Sequence, residues 1–398
     1  MSGQKAILGI LLCFLLAGIL MVGAIIYGFV SPNEYYYEEL PDEPAYPVYY
    51  QTLSAQEGHS LAITADGRVF TWGQSAETLA GEEITAMMAR SFHSPYAHVE
   101  NAVAVFGWRD FNGVIDRRGD VWVWGGNWEG RLAEPSSLPT RLTDLENVKY
   151  IWVNNRFFVV LTRDGRAYIR TADGELEPLD LDVATVSAGA TYMLFLTNDG
   201  EVYGIGDNSM GQLGGNVGAS AANVVRLGIS NIRAIAASSM NAAAVTVDGY
   251  VYHWGQIVSF EDRDDGELVE FERIRSPQRL ANIDNVAAIS SGNRFTVAIR
   301  GDGTVWGWGI NELGVLGDYS EDSDIENPKM LDGLSNILAV SASGAHFLAL
   351  NSYGEIIEMG QKFYGLMDGE NVPRVVRDGI MLPDGSAPTI LGDENDEI

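Results

Sequence analysis

The feature that most constrains this chain is a short pattern, LAITADGRVFTWG at residues 61–73, which returns six more times in more or less altered form. Each copy has an apolar run, a tight turn and then an alternating strand, which in the best copies ends in Trp-Gly. The turn glycines are Gly67, Gly119, Gly165, Gly200, Gly249, Gly303 and Gly354. Their spacing, 35 to 54 residues, is that of a propeller or solenoid. An array of this kind forms one closed unit, so 398 residues are expected to hold one large domain.

Aligned on the turn glycine, the copies show which faces are covered. Two residues on stand Val69, Val121, Ala167, Val202, Val251, Val305 and Ile356; three on, Phe70, Trp122, Tyr168, Tyr203, Tyr252, Trp306 and Ile357. The fifth place holds Trp72, Trp124, Arg170, Ile205, Trp254, Trp308 and Met359. Side chains alternate along a strand, so places three and five share one face, an aromatic one expected to pack against a neighbouring sheet. The run before each turn is apolar on both faces and reads as a buried central strand. A further strand precedes that pair, often announced by an Asn and an apolar residue, as at Asn101-Ala102, Asn147-Val148, Asn231-Ile232, Asn285-Val286 and Asn336-Ile337. Segments such as 328–331 and 372–376 can serve as a fourth. Three or four antiparallel strands in each of seven repeats describe an all-β, seven-bladed β-propeller. Closing the ring requires the segment near residues 46–52 to meet that near 372–380, and the repeats leave open whether the two share a sheet.

The flanks read differently. Residues 6–30 carry no charge and are long enough to span a bilayer as one helix. An uncleaved anchor is expected, with a cleaved signal peptide as the alternative. Lys5 in the short cytoplasmic segment 1–5 precedes the span, and Glu34, Glu38, Glu39, Asp42 and Glu43 follow it. This asymmetry places the amino end inside and the propeller outside the cytoplasm. Residues 31–47 read as an acidic, Pro- and Tyr-rich linker, 48–382 as the propeller and 383–398 as an acidic tail.

The net charge of −29 argues against nucleic acid as a partner, because such a surface repels phosphate backbones. Cys13, the single cysteine, lies in the apolar run, so the rest of the chain has no disulfide and no thiolate metal site. The five histidines, His59, His93, His98, His253 and His346, match no metal-ligand spacing. The acidic stretch 262–267 departs from an EF-hand at its fifth place, Gly266, and reads as a solvated loop. No nucleophile elbow or phosphate loop is present. No cofactor and no catalytic set are expected.

The residues resemble the regulator of chromosome condensation repeat family, whose motif is an apolar strand, Gly-His, an apolar strand, a DG turn, a strand closing on WG and then N-x-x-G-Q-L-G. The copies that carry the resemblance are Gly58-His59 with Trp72-Gly73, then residues 207–214 (DNSMGQLG), then Trp308-Gly309 with residues 314–317 (GVLG). It covers residues 48 to about 379 and implies the seven-bladed propeller. The third repeat lacks WG, the fifth lacks the N-x-x-G loop, and the family histidine stands only at His59 and His346. The eukaryotic namesake binds chromatin and promotes nucleotide exchange on a small GTPase. Other relatives are exported bacterial proteins, among them inhibitors that clamp a β-lactamase against one propeller face, and that exported or membrane-anchored type matches the topology read here.

Function is therefore sought in the irregular loops that follow Trp-Gly, at the end of the propeller they share with the corners entering each central strand. Their candidate partner-binding residues are Trp128, Met210, Phe260, Phe271, Tyr319, Phe363 and Tyr364, aromatic or thioether side chains in an acidic setting. Plugging the spaces between blades is the alternative role. The expected function is a membrane-anchored, extracytoplasmic protein-interaction or ligand-binding module for a basic or mixed-charge protein or cell-envelope component. A propeller lyase or glycan hydrolase, or a scaffold of an envelope complex, are the alternatives.

Overall fold

The structure is a computed structural model. It describes residues 51–57, 59–73, 99, 101–109, 111–125, 136–171, 175–260, 269–311, 314–317, 325–344, 346–360, 374–377 and 380. The chain divides into two units, Met1–Pro47 and Val48–Ile398. The first unit, with the expected membrane span, lies outside the described residues. Among the described residues no helix is long and apolar enough to cross a membrane.

The second unit is a seven-bladed β-propeller. Seven antiparallel sheets follow one another along the chain, each built from consecutive strands. In blade 2 the order from the axis outwards is Ala102–Trp108, Phe111–Asp116, Val121–Gly125 and Ser136–Leu142. Blade 1 shows three strands among the described residues, Leu53–Ala55, His59–Ile63 and Val69–Gly73. The expected fourth strands appear at Ile325–Met330 in blade 6 and Arg374–Arg377 in blade 7.

The core lies between blades. At place two of the third strands Val69, Val121, Val202, Val251, Val305 and Ile356 are buried. The aromatic face divides. Trp124, Trp254 and Trp308 at place five are buried, each within the apolar cluster of the preceding blade, and Trp254 also donates its Nε1–H to the Gln212 carbonyl at 2.7 Å. Trp122, Tyr168, Tyr203, Tyr252 and Trp306 at place three are only half-buried. They sit beside the turn, where Trp306 donates to Thr304 Oγ1 at 3.2 Å and the Arg300 guanidinium stands 5.5 Å from its ring.

The announcing asparagines have a geometric reason. Asn101, Asn147, Asn231, Asn285 and Asn336 have φ between 51° and 60°, a left-handed conformation that Asn tolerates better than most residues. The bend lets the next residue donate its N–H across the blade boundary to the turn glycine of the preceding blade. Ala102 donates to Gly67, Val148 to Gly119, Ile232 to Gly200, Val286 to Gly249 and Ile337 to Gly303, at 2.9 to 3.1 Å. Blade 4 is the exception: Val183 donates to Leu181, and repeat three is also the shortest in sequence.

Closure uses the same bond. Ile380 donates to the Gly354 carbonyl at 3.0 Å and bridges Thr64 of blade 1 in antiparallel register. Thr64 is the counterpart of Asp116, which pairs with Ala102 at the start of blade 2. Ile380 thus takes the leading place of the first blade's inner strand, which Leu53–Ala55 continues from the other end of the chain. The two ends share one sheet. Ile380 is fully buried in a cluster with Leu53, Ala55, Leu348, Leu350 and Ile356. Two side-chain bonds reinforce the seam: Ala55 N–H donates to Ser341 Oγ at 3.0 Å, and Ser60 Oγ and His346 Nε2 share a bond of 3.0 Å.

Two predictions follow from these contacts. Gly165 and Gly249 have nearly the same φ, 82° and 81°, but a Cβ on Gly249 would lie 2.9 Å from Asn285 Cα, whereas one on Gly165 would meet nothing within 4 Å. Gly165→Ala is expected to cost about 1–2 kcal/mol, the left-handed strain alone, and Gly249→Ala more than about 3 kcal/mol because the next blade must move; urea denaturation compares them. Burial, with His59 nearby as a second cause, depresses the His346 pKa to about 4 from 6.5. Above pH 6.5 the ring is neutral folded or unfolded, but as pH falls toward 4 only the unfolded chain takes up the proton. Stability therefore drops by about 2 kcal/mol at pH 5 on this account. His346→Phe, the residue that three other repeats carry at this place, is expected to shrink the pH 7.5-to-5 loss by that amount in denaturant titrations.

Candidate functional site

Strand order fixes what each end of the propeller displays. In antiparallel sheets of four consecutive strands, the corner from inner to second strand and the loop after the third strand emerge at the same end. The other end carries the tight hairpin turns, where Thr or Asn side chains and the Asx residues beside them tie down the backbone. Thr162 Oγ1, for example, donates to Asp164 Oδ1 at 2.5 Å and to the Arg166 carbonyl at 2.8 Å.

At the loop end the corners join blade to blade. Glu57 and Arg109 form an exposed ion pair at 3.6 Å between blades 1 and 2. Trp108 donates its Nε1–H to Asn155 Oδ1 at 2.8 Å, linking blades 2 and 3. Asn154, buried, donates from Nδ2 to the carbonyls of Gly189 and Tyr192 in blade 4 at 2.8 and 2.9 Å. Tyr192 donates its hydroxyl to the Asn241 carbonyl at 2.6 Å, and burial raises its pKa. Ser239 donates to Asn293 Oδ1 at 2.5 Å, and Asn293 N–H to the Gly344 carbonyl at 2.9 Å. With the His346–Ser60 bond the circle is complete.

These corners surround an axial cavity of about 400 Å³. One arc of its wall is bulky, with Phe106, Trp108 and Trp152. The opposite arc, from blades 4 to 7, is Ala, Ser, Gly and Asn. Glu57 and Arg109 are its only charged side chains among the described residues.

The structure places the sequence candidates unevenly. Met210 is half-buried on the loop of blade 4, its N–H donated to Gln212 Oε1 at 2.9 Å. Asn208 organises that loop by donating to the carbonyls of Gly214, Val217 and Gly218 and accepting from Leu213 N–H at 2.6 Å. Leu213 is buried, and Leu316 repeats the arrangement by donating its N–H to Asn311 Oδ1 at 2.6 Å. The Asn and Leu of the repeated loop are thus structural. Phe260 and Phe271, expected on an irregular loop after Trp-Gly, lie in strands instead. The strands Val251–Phe260 and Val269–Arg279 continue the blade 5 hairpin as a ribbon, pairing Val258 with Phe271 and Phe260 with Val269. The alternation of β-branched and aromatic residues through this stretch is the signal for that ladder. Trp128, Tyr319, Phe363 and Tyr364 lie outside the described residues, as do His93, His98 and the acidic stretch 262–267.

His59 and His346 are buried, and His59 Nε2 bonds Asn112 Oδ1 at 2.8 Å. The two therefore flank blade 1 as inter-blade links. Among the described residues no three His, Cys, Asp or Glu side chains are grouped to hold a metal. Trp108, Asn155 and the Glu57–Arg109 pair went unmarked in the sequence. Aligning the inner strands would have found Trp108, which stands where other blades have Gln56, Asn154, Gly189, Ser238, Gly292 and Ser343.

Comparison with known proteins agrees with this architecture. The regulator of chromosome condensation (RCC1) repeat matches residues 183–212 and 286–315, and a second description of that repeat matches 302–350. The chain is 25% identical over 320 residues to the human E3 ubiquitin-protein ligase HERC2, covering 77% of this chain but 6% of the ligase. It is 24% identical over 367 residues to protein pim1 of Schizosaccharomyces pombe, covering 80% of this chain and 61% of that protein. The solved structure of Prp20p from Saccharomyces cerevisiae superposes with a TM-score of 0.64 at 19% identity, covering 83% of this chain and 88% of that one, which speaks to the fold. The chain is a seven-bladed β-propeller whose fourth, sixth and seventh blades contain segments similar to the regulator of chromosome condensation repeat.

Proposed function

We propose that this chain is a membrane-tethered, extracytoplasmic interaction module whose propeller engages a basic or mixed-charge protein or envelope component at its loop end. The observation that carries this reading is the contrast between the two ends. Tight turns pinned by their own side chains form one end, whereas the long loop at 208–219 and the blade 5 ribbon emerge at the other. A rigid scaffold with its irregular segments gathered at one end is suited to recognition. The partner's sign follows from the net charge of −29, which steers cations. The apolar run at 6–30 and the acidic residues after it support the tether and its orientation.

Relatives lend support of a general kind. Prp20p has reported binding properties to Gsp1p and histones, so a propeller of this fold can serve as a platform for proteins. A lyase or hydrolase has less to draw on here: the described wall of the axial cavity offers one carboxylate, Glu57, paired with Arg109.

The full-length chain in nanodiscs, used as bait in an envelope extract, is expected to capture a partner that is released as salt rises from about 0.05 to 0.5 M. The paired change Phe260→Asp with Phe271→Asp is expected to weaken that capture at least about tenfold, and Arg166→Ala at the opposite end to leave it unchanged. Capture insensitive to salt, or lost equally in both variants, contradicts the reading.

A further inference from the structure

The axial cavity breaks the symmetry of the ring in a way the fold does not require. Where seven inner strands converge there is room for small side chains, and blades 4 to 7 obey: Ser187, Ala236, Ser290 and Ser341 stand where blades 2 and 3 have Phe106 and Trp152. Two of the three aromatics are accounted for by packing. Phe106 fills space left by Gly113, since a Cβ there would lie 2.0 Å from its ring. Trp152 is largely buried, its ring centroid 5.7 Å from that of Tyr150.

Trp108 packs against the apolar cluster of blades 2 to 4 with only part of its surface. It is half-exposed at the mouth of the cavity, and its indole N–H is fixed on Asn155 Oδ1. That bond uses the acceptor of Asn155 and leaves its amide NH2 as a donor. Across from the indole, Ser239, Asn293 and Gly344 form a polar wall.

The chemistry of a ligand follows by elimination. Glu57 and Arg109 neutralise each other, so no uncompensated charge is offered to an ion. A wholly apolar ligand would cover the Asn155 amide and the Ser239–Asn293 wall without giving them partners. A molecule with one apolar face for the indole and hydroxyl donors along its edge satisfies both walls. The volume, about 400 Å³, falls at the small end of ligand sites.

We propose that the axial cavity binds a neutral pyranose, either free or as the terminal unit of a glycan, with its C–H face on Trp108 and its hydroxyls on Asn155 and the Ser239 side. This site is separate from the ribbon and loops assigned to the protein partner and stands whether or not that assignment does.

The full-length chain in detergent is titrated with glucose, galactose, mannose and N-acetylglucosamine and with a trisaccharide of each, read by tryptophan fluorescence and calorimetry. At least one is expected to bind with Kd of about 1 mM or tighter. Trp108→Ala is expected to weaken binding at least about tenfold and Trp108→Phe less, since the flat face is partly kept. Ser239→Trp, which fills the cavity from the opposite wall, is expected to abolish binding, and Trp306→Phe at the turn end to leave it intact. A trisaccharide that binds at least about tenfold tighter than its monosaccharide assigns the site to a glycan terminus, and equal binding assigns it to the single sugar. No binding by any of these sugars at about 10 mM, or binding that survives both Trp108→Ala and Ser239→Trp, overturns the proposal.

Discussion

The structure depends on one backbone hydrogen bond, repeated around the ring: the first N–H of an inner strand donates to the carbonyl of the turn glycine in the blade before. The bond requires a glycine with room for the approaching chain and, just before the donor, a residue that accepts a left-handed conformation. Asn with the apolar donor after it, and the glycine of the turn, supply these conditions at five of the joints. The pattern in the sequence is therefore a docking device as much as a hairpin. The bond sets the register of each blade against its neighbour, and the valines and tryptophans of the third strands fill the space between them.

The exceptions support that description. The blade 3 to blade 4 joint lacks the bond, and Gly165 there has no neighbour near its missing Cβ. Its adhesion comes from Asn154, which reaches two carbonyls of blade 4, and from a large shared apolar cluster. At the joint where the chain must close on itself the bond reappears, made by Ile380. A polar pair at His346 and Ser60 stands there in place of the ring contact seen between Phe295 and Phe347.

The blades were legible in the sequence because their signals are local. Gly67 and its counterparts, the alternation that follows and the asparagines ahead of the inner strands all act within a dozen residues. Closure was not, because Ile380 matters only through Thr64 and Gly354, far away in sequence or in the opposite terminal blade. The same holds for the site. Trp108 and Asn155 lie 47 positions apart, and only the ring geometry makes them neighbours. The blade 5 insertion reads as a loop if one looks for the family motif, yet its own alternation of Val258, Phe260, Val269 and Phe271 describes the ladder that forms. Met210 drew attention as a thioether on the loop after Trp-Gly, but the residues that shape that loop are the less conspicuous Asn208 and Leu213.

Both proposed sites lie at one end of the propeller, one on the irregular outer rim and the other in an axial well of neutral, amphiphilic character. Both depend on the ring holding its blades in register. The most direct test is native-state hydrogen exchange of the donor amides at Ala102, Val148, Ile232, Val286, Ile337 and Ile380. If one shared bond registers and closes the ring, all six exchange only through global unfolding, and Ile380 is as protected as the others. An Ile380 amide that exchanges at loop rates while the other five stay protected would contradict the account.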